Sequence, residues 1–225
     1  MATPPLSRRS TSRWVTSFAT SSSRNSSSPR EVGVTVSRRA VFLDRDGTIM
    51  ADVGYPSDPR QVRLMPHAAE GLKLLSEYDY ALVVVSNQSG IARGRLTLED
   101  AQRVNAELQR QLHDLGGVEI EAFYLCPHLD RDSCDCRKPK PGMIERAIAE
   151  HRYAREGSVA IGDRPRDIEA GRSACLHTVR VVGGPYADER GIPADYDAPD
   201  LLAAAQWVLA GCRPAGDEND TRAAS

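Results

Sequence analysis

Two aspartates stand two residues apart in Asp44-Arg45-Asp46-Gly47-Thr48, directly behind the apolar run Ala40–Leu43. Carboxylates at i and i+2 of a chain leaving a strand emerge on the same side, and Gly47 permits a sharp turn. One such carboxylate can attack as a nucleophile while the other gives and then takes a proton. An ordinary solvated Asp-Gly turn uses the same residue types. The apolar run in front of this string favours chemistry. Ser86-Asn87-Gln88-Ser89-Gly90-Ile91-Ala92-Arg93-Gly94 follows a second apolar run, Ala81–Val85. It offers hydroxyl, amide and backbone N–H donors, which suit phosphate oxygens. Gly162-Asp163-Arg164-Pro165-Arg166-Asp167 follows a third run, Val159–Ile161. Asp167 can face the same edge as Asp163 from a first helical turn, or act there as a helix-start acid.

Cys126-Pro127-His128 and Cys134-Asp135-Cys136 form a Cys-x-His-x5-Cys-x-Cys array. Three thiolates and an imidazole complete a tetrahedral Zn2+ set, and with no open position the metal is structural. It would order a loop charged with Asp130, Arg131 and Asp132. Arg137 and Lys138 follow at once, a fork and a point charge suited to phosphoryl oxygens. Cys175 and Cys212 are left over. Five cysteines exclude complete disulfide pairing and fit a reducing, cytosolic compartment.

The elements that must position these residues are legible as periodicities. Helices are predicted over His67–Tyr78, Thr97–Leu115, Met143–His151, Asp167–Ala174 and Asp200–Leu209. In the second of these, Leu98, Ala101, Val104, Leu108, Leu112 and Leu115 share a face. Strands are predicted over Ala40–Leu43, Ala81–Val85, Ala122–Leu125, Val159–Ile161 and Thr178–Val182. This alternation implies an α/β, Rossmann-like, mainly parallel sheet with helices on both faces. Ligands of such sheets bind outside the carboxyl ends of the strands. The four polar clusters should therefore meet at one sheet edge.

The chain has 225 residues, with 27% charged and 40% hydrophobic side chains, as in a soluble globular protein. No apolar run reaches the roughly 18–20 residues of a membrane span, so no membrane partner is expected. Residues 1–30 carry five arginines and no acid, leaving 24 basic and 31 acidic side chains, net −7, in residues 31–225. An acidic body argues against nucleic acid as a partner. Residues 1–37 read as a disordered Ser/Arg-rich tail, a composition that also fits an organellar transit peptide. Residues 38–211 read as one domain and 212–225 as a flexible tail.

The string Asp44–Ile49 resembles the first motif of the haloacid dehalogenase superfamily of phosphotransferases. Ser86–Gly94, Arg137-Lys138-Pro139 and Gly162-Asp163 resemble its later motifs in order, so the resemblance spans roughly residues 39–210. It implies Asp44 as a nucleophile that forms an aspartyl-phosphate and Asp46 as general acid and base. It also implies that Ser86 and Lys138 steady the phosphoryl group, and that Mg2+ is held by Asp44, Asp163 and the backbone carbonyl of Asp46. Only 17 residues separate Ile49 from His67, which leaves no room for a cap domain. An open site is expected, walled by the Asp52–Tyr55 loop and the zinc-binding loop. Substrate contacts are expected from Asp52, Tyr55, Asn87, Gln88, Ser89, Arg93, Arg137 and Arg164. The zinc array is similar to two phosphatase groups of the superfamily, acting on D-glycero-D-manno-heptose 1,7-bisphosphate or on histidinol phosphate. The substrate is thus a small phosphorylated sugar or amino-alcohol. Ser89–Gly94, Asp52–Tyr55 and Lys140–Met143 favour the heptose group, whereas the short zinc loop and Met50 do not. A capless domain is most simply a monomer. A non-catalytic, zinc-stabilised binding module is the contrasting reading; Asp44, Asp46, Lys138 and Asp163 together weigh against it.

Overall fold

In the computed structural model the described residues are 15–17, 37–184, 186 and 188–212. The strands are β1 (Val15–Ser17), β2 (Arg39–Leu43), β3 (Ala81–Asn87), β4 (Ala122–Cys126), β5 (Ala154–Gly162), β6 (His177–Val181) and β7 (Tyr196–Ala198). They form one sheet in the order β1-β4-β3-β2-β5-β6-β7, parallel throughout except for the β1–β4 pair. The helices are α1 (Ala68–Glu77), α2 (Leu98–Gly116), α3 (Gly142–His151), α4 (Pro165–Ser173) and α5 (Leu201–Leu209).

The period-2 geometry of strands divides the core between the two sheet faces. Val41, Leu43, Leu82, Val84, Val159 and Ile161 face α1, α2 and α5, where Leu72, Leu108 and Leu201 meet them. Ala40, Phe42, Ala81, Val83, Val85 and Ala160 face α3 and α4, packing with Met143, Ile144 and Ala170. Burial on both faces explains why β2 and β3 read as unbroken apolar runs. Gly71 lets α1 and α5 approach closely, since a Cβ there would lie 2.4 Å from the carbonyl oxygen of Leu201.

Several boundaries differ from the sequence reading. Helix α2 is capped by Thr97 and Asp100 in a reciprocal box and stopped by Gly117 in the left-handed region. Leu115, expected on its apolar face, is 71% exposed, two residues before this stop. Strand β5 starts five residues before the apolar run. Its first residues, Arg155 and Glu156, are exposed, so they carry no hydrophobic signal. Strand β7 has three residues and too short a pattern to read. Val15–Ser17, within the expected tail, pairs with Leu125–Phe123 as an antiparallel edge strand. Apart from Ser37 and Cys212, the rest of both predicted tails lies outside the described residues. Between β2 and α1 the described chain holds one 3-10 turn, Pro59–Gln61, and no cap domain.

Candidate active site

Asp44, Ser86, Cys126 and Asp163 stand at or just beyond the carboxyl ends of β2, β3, β4 and β5, the edge where such sheets bind ligands. Gly47 makes the first turn possible. It sits at φ +87°, and a Cβ there would lie 2.1 Å from Asp163 Oδ2, so both the backbone sign and the space exclude a side chain.

Lys138 is the hub. Its buried Nζ donates to Asp44 Oδ1 at 2.6 Å and to the Val85 carbonyl at 2.7 Å, and it pairs with Asp167 Oδ1 at 2.7 Å. Burial pulls its pKa down, but the carboxylates of Asp167 and Asp44 outweigh burial and hold it above the ordinary value. Its backbone is clamped by one side chain: Asn87 Nδ2 donates to the Lys138 carbonyl at 3.0 Å, and Lys138 N–H donates to Asn87 Oδ1 at 3.1 Å. Asn87, expected to touch substrate, therefore also fixes the lysine.

Asp46 is held from two sides. Arg45 forks onto it through Nε and Nη2, both at 3.1 Å, and Gln88 Nε2 donates to it at 2.8 Å and to Ser86 Oγ at 2.9 Å. Burial raises the Asp46 pKa; Arg45 opposes this and Asp44 adds to it, and the net shift is upward. A carboxyl shifted this way keeps its proton nearer neutrality, as a general acid requires.

Asp44, Asp163 and Asp167 bring carboxylate oxygens within 4.8 Å of one another. Both oxygens of Asp163 are buried and accept no hydrogen bond among the described residues. Burial and the charges of Asp44 and Asp167 push its pKa up to about 8. Two orphaned oxygens beside two further carboxylates fit a hard divalent cation with oxygen ligands. The Asp46 carboxylate lies outside this group, turned to Arg45 and Gln88. Asp167 resolves its two sequence readings into both: Oδ1 pairs with Lys138, and Oδ2 accepts the Arg164 backbone N–H at 3.0 Å, capping α4.

Cys126, His128, Cys134 and Cys136 converge, with the Cys136 sulfur 3.0 Å from that of Cys126, 3.4 Å from that of Cys134 and 3.2 Å from His128 Nδ1. Ligands at Zn–N and Zn–S distances of about 2.0–2.3 Å sit about 3.3–3.8 Å apart at the corners of a tetrahedron, so the cluster fits Zn2+ after a small expansion. Cys175 is exposed and Cys212 half-buried, and neither joins the group.

A cavity of about 300 Å3 opens at this edge. Of the expected residues, Asp44, Asp46, Asp52, Tyr55, Ser86, Asn87, Gln88, Ser89, Arg137 and Arg164 line it. Arg93 and Lys138 do not; Arg93 is exposed on the turn after β3, and Lys138 is buried against Asp44. Arg137 pairs with Asp130 and reaches the His128 carbonyl. Arg164 forks onto Glu189 at 2.7 and 3.1 Å and lies 3.9 Å over the Tyr186 ring, whose hydroxyl donates to Asp52 at 2.8 Å. Two lining residues escaped the sequence reading, Arg166 and Tyr186. Arg166 lies inside the string Gly162–Asp167, where sequence alone gives it no role. Tyr186 follows a Gly-Gly-Pro turn that carries no chemical signal.

An aspartate pair, a buried lysine and a strand-end carboxylate cluster on a capless parallel sheet define the class: a haloacid-dehalogenase-like phosphatase. The HAD-hydrolase-like family matches residues 135–204. The D-glycero-beta-D-manno-heptose-1,7-bisphosphate 7-phosphatase of Pasteurella multocida is 36% identical over 179 residues, covering 73% of this chain and 97% of its own. The enzyme of that name from Helicobacter pylori is 40% identical over 136 residues, covering 60% and 79%. The crystal structure of D,D-heptose 1,7-bisphosphate phosphatase from B. bronchiseptica, complexed with magnesium and phosphate, superposes with a TM-score of 0.71 at 28% identity. It covers 77% of this chain and 99% of the other. The chain belongs to the family of D-glycero-D-manno-heptose-1,7-bisphosphate 7-phosphatases.

Proposed function

We propose that the chain removes the 7-phosphate of D-glycero-D-manno-heptose 1,7-bisphosphate through an aspartyl-phosphate, with Mg2+ as cofactor and Zn2+ as a structural metal. The observation that carries this is the juxtaposition of Asp44 with Lys138, Asp163 and the Arg45-held Asp46 at one strand edge. The named substrates of relatives matched over most of their length support the sugar.

The Asp44 carboxylate attacks phosphorus, and the bond from phosphorus to the sugar oxygen breaks as Asp46 gives that oxygen its proton. Asp46 then takes a proton from water, whose oxygen attacks the aspartyl-phosphate and releases inorganic phosphate. Ser86 and Lys138 steady the phosphoryl oxygens, and Lys138 fixes the carboxylate that attacks. Asp44, Asp163 and the backbone carbonyl of Asp46 would hold Mg2+, which would supply charge neutralisation between carboxylate and phosphate. Tyr55, Gln88, Ser89, Arg137 and Arg164 receive the rest of the substrate.

Phosphate release from heptose 1,7-bisphosphate and from histidinol phosphate, compared as kcat/KM, tests the substrate. The expected preference is for the heptose; a preference for histidinol phosphate overturns it. Asp44→Asn is expected to abolish turnover with both, and substantial residual turnover would sink the nucleophile assignment.

A further inference from the structure

Asp52 follows β2 in the chain and Arg164 precedes α4, yet both reach one residue, Tyr186, which stands between β6 and β7. All three line the cavity. The Tyr186 hydroxyl donates to Asp52 Oδ2 at 2.8 Å, and its ring lies 3.9 Å from the Arg164 guanidinium carbon above it. The other Asp52 oxygen, Oδ1, accepts the Gly54 N–H at 2.7 Å. The carboxylate is therefore fixed at both oxygens, and the turn it belongs to is fixed with it. Glu189 completes the arrangement. Its carboxylate takes Arg164 Nε and Nη2 at 2.7 and 3.1 Å, and its backbone N–H donates to the Tyr186 carbonyl at 3.0 Å. The same stretch presses on α4, since a Cβ at Gly191 would lie 2.2 Å from Pro165 Cβ. The hydrogen bond to Asp52, together with partial burial, raises the Tyr186 pKa, so the hydroxyl remains a donor at neutral pH. The side chains that hold Asp44 and Asp46 are Lys138, Arg45 and Gln88, not Tyr186 or Glu189.

Resting on the proposed function for the substrate alone, we propose that Tyr186 is a positioning residue, whose hydroxyl holds Asp52 and whose ring seats Arg164. A tyrosine suits this task because its rigid ring lies flat beneath a cation while its far end donates to a carboxylate. The spacing of the two groups it holds is then set before substrate arrives. Preorganisation of that kind lowers the ordering left for binding and leaves the chemical step to Asp44 and Asp46.

The test compares wild type, Tyr186→Phe, Tyr186→Leu, Asp52→Ala and the Tyr186→Phe/Asp52→Ala double variant on heptose 1,7-bisphosphate. Loss of the charge-assisted contact in Tyr186→Phe raises KM about 10-fold with kcat little changed. Tyr186→Leu, which also removes the ring beneath Arg164, raises KM further. In the Asp52→Ala background the Phe substitution adds less than about a 2-fold change, because the hydroxyl acts through Asp52. Additive losses would mean that the hydroxyl touches substrate itself, and they overturn the proposal. An unchanged KM in Tyr186→Phe, or a loss confined to kcat, overturns it as well. A second measurement needs no substrate: amide hydrogen exchange at Gly54 in the free full-length chain. Tyr186→Phe should speed exchange of that N–H, which donates to Asp52, and an unchanged rate overturns the proposal. Wild-type turnover reads the proposed function separately. If wild type hydrolyses histidinol phosphate and not the heptose, the same comparison of KM is made with histidinol phosphate. If it hydrolyses neither, the proposed function falls, and the exchange at Gly54 decides for or against Tyr186.

Discussion

Arg45 is fully buried, though it stands between the two aspartates of the first motif, where an exposed cation would be the ordinary expectation. Its Nη1 donates to Asn105 Oδ1 at 2.8 Å, and the rest of the guanidinium grips Asp46. A residue of α2, Asn105, thereby positions through Arg45 the carboxyl proposed as acid and base. Asn105→Ala leaves a buried guanidinium N–H without its acceptor, which costs about 1.5–3 kcal/mol. The denaturation midpoint should fall accordingly. The drop in kcat should exceed any change in KM, because Asp46 loses its fixed orientation. A variant with wild-type stability and turnover would remove Asn105 from the site. The aspartates were legible because their types and spacing carry chemistry by themselves. The Arg45–Asn105 contact was not, because 60 residues separate the partners and only the folded sheet joins them.

At the scale of elements, the loop from Cys126 to Cys136 joins the end of β4 to Lys138. One residue, Arg137, separates the buried Cys136 from the lysine that holds Asp44. Ordering this loop therefore sets the lysine, with Asn87 as the second clamp. If Zn2+ holds this loop, a zinc-selective chelator used with Mg2+ present throughout should abolish turnover, restored by Zn2+ and not by further Mg2+, while the far-ultraviolet signal of the sheet and helices persists. Full turnover in metal-stripped protein would show that Asn87 alone suffices. Helix α2 makes an independent case. Thr97 donates to Asp100 and accepts its backbone N–H, and these contacts hold the Asp100 pKa low. The contribution is therefore present above the ordinary carboxylate pKa and is lost as pH falls through the lowered one. Thr97→Ala should cost about 1 kcal/mol in a denaturant titration at neutral pH, with less effect in strong acid. All five helices and the five core strands were legible from apolar periodicity. The short edges β1 and β7 were not, since three residues hold no period and their partners are set by tertiary pairing.

The whole molecule puts its chemistry at one end of the sheet and its core on both faces, which separates the site from the sheet edges. Strand β1 covers the outer edge of β4 by pairing Val15, Thr16 and Ser17 with Leu125, Tyr124 and Phe123. The described wall of the cavity takes no residue from this segment. Deleting residues 1–36 should leave kcat and KM for the phosphatase reaction unchanged. It should also bare the N–H and C=O groups along β4, a ready template for another strand. The truncated chain is expected to associate with rising concentration in sedimentation velocity, more than the full chain does. Its acidic body resists self-approach, so added salt should strengthen the association by screening that repulsion. Truncated protein that sediments as the full chain does at every concentration would show that β1 does not guard this edge. Loss of turnover would instead place part of the segment in the working of the site.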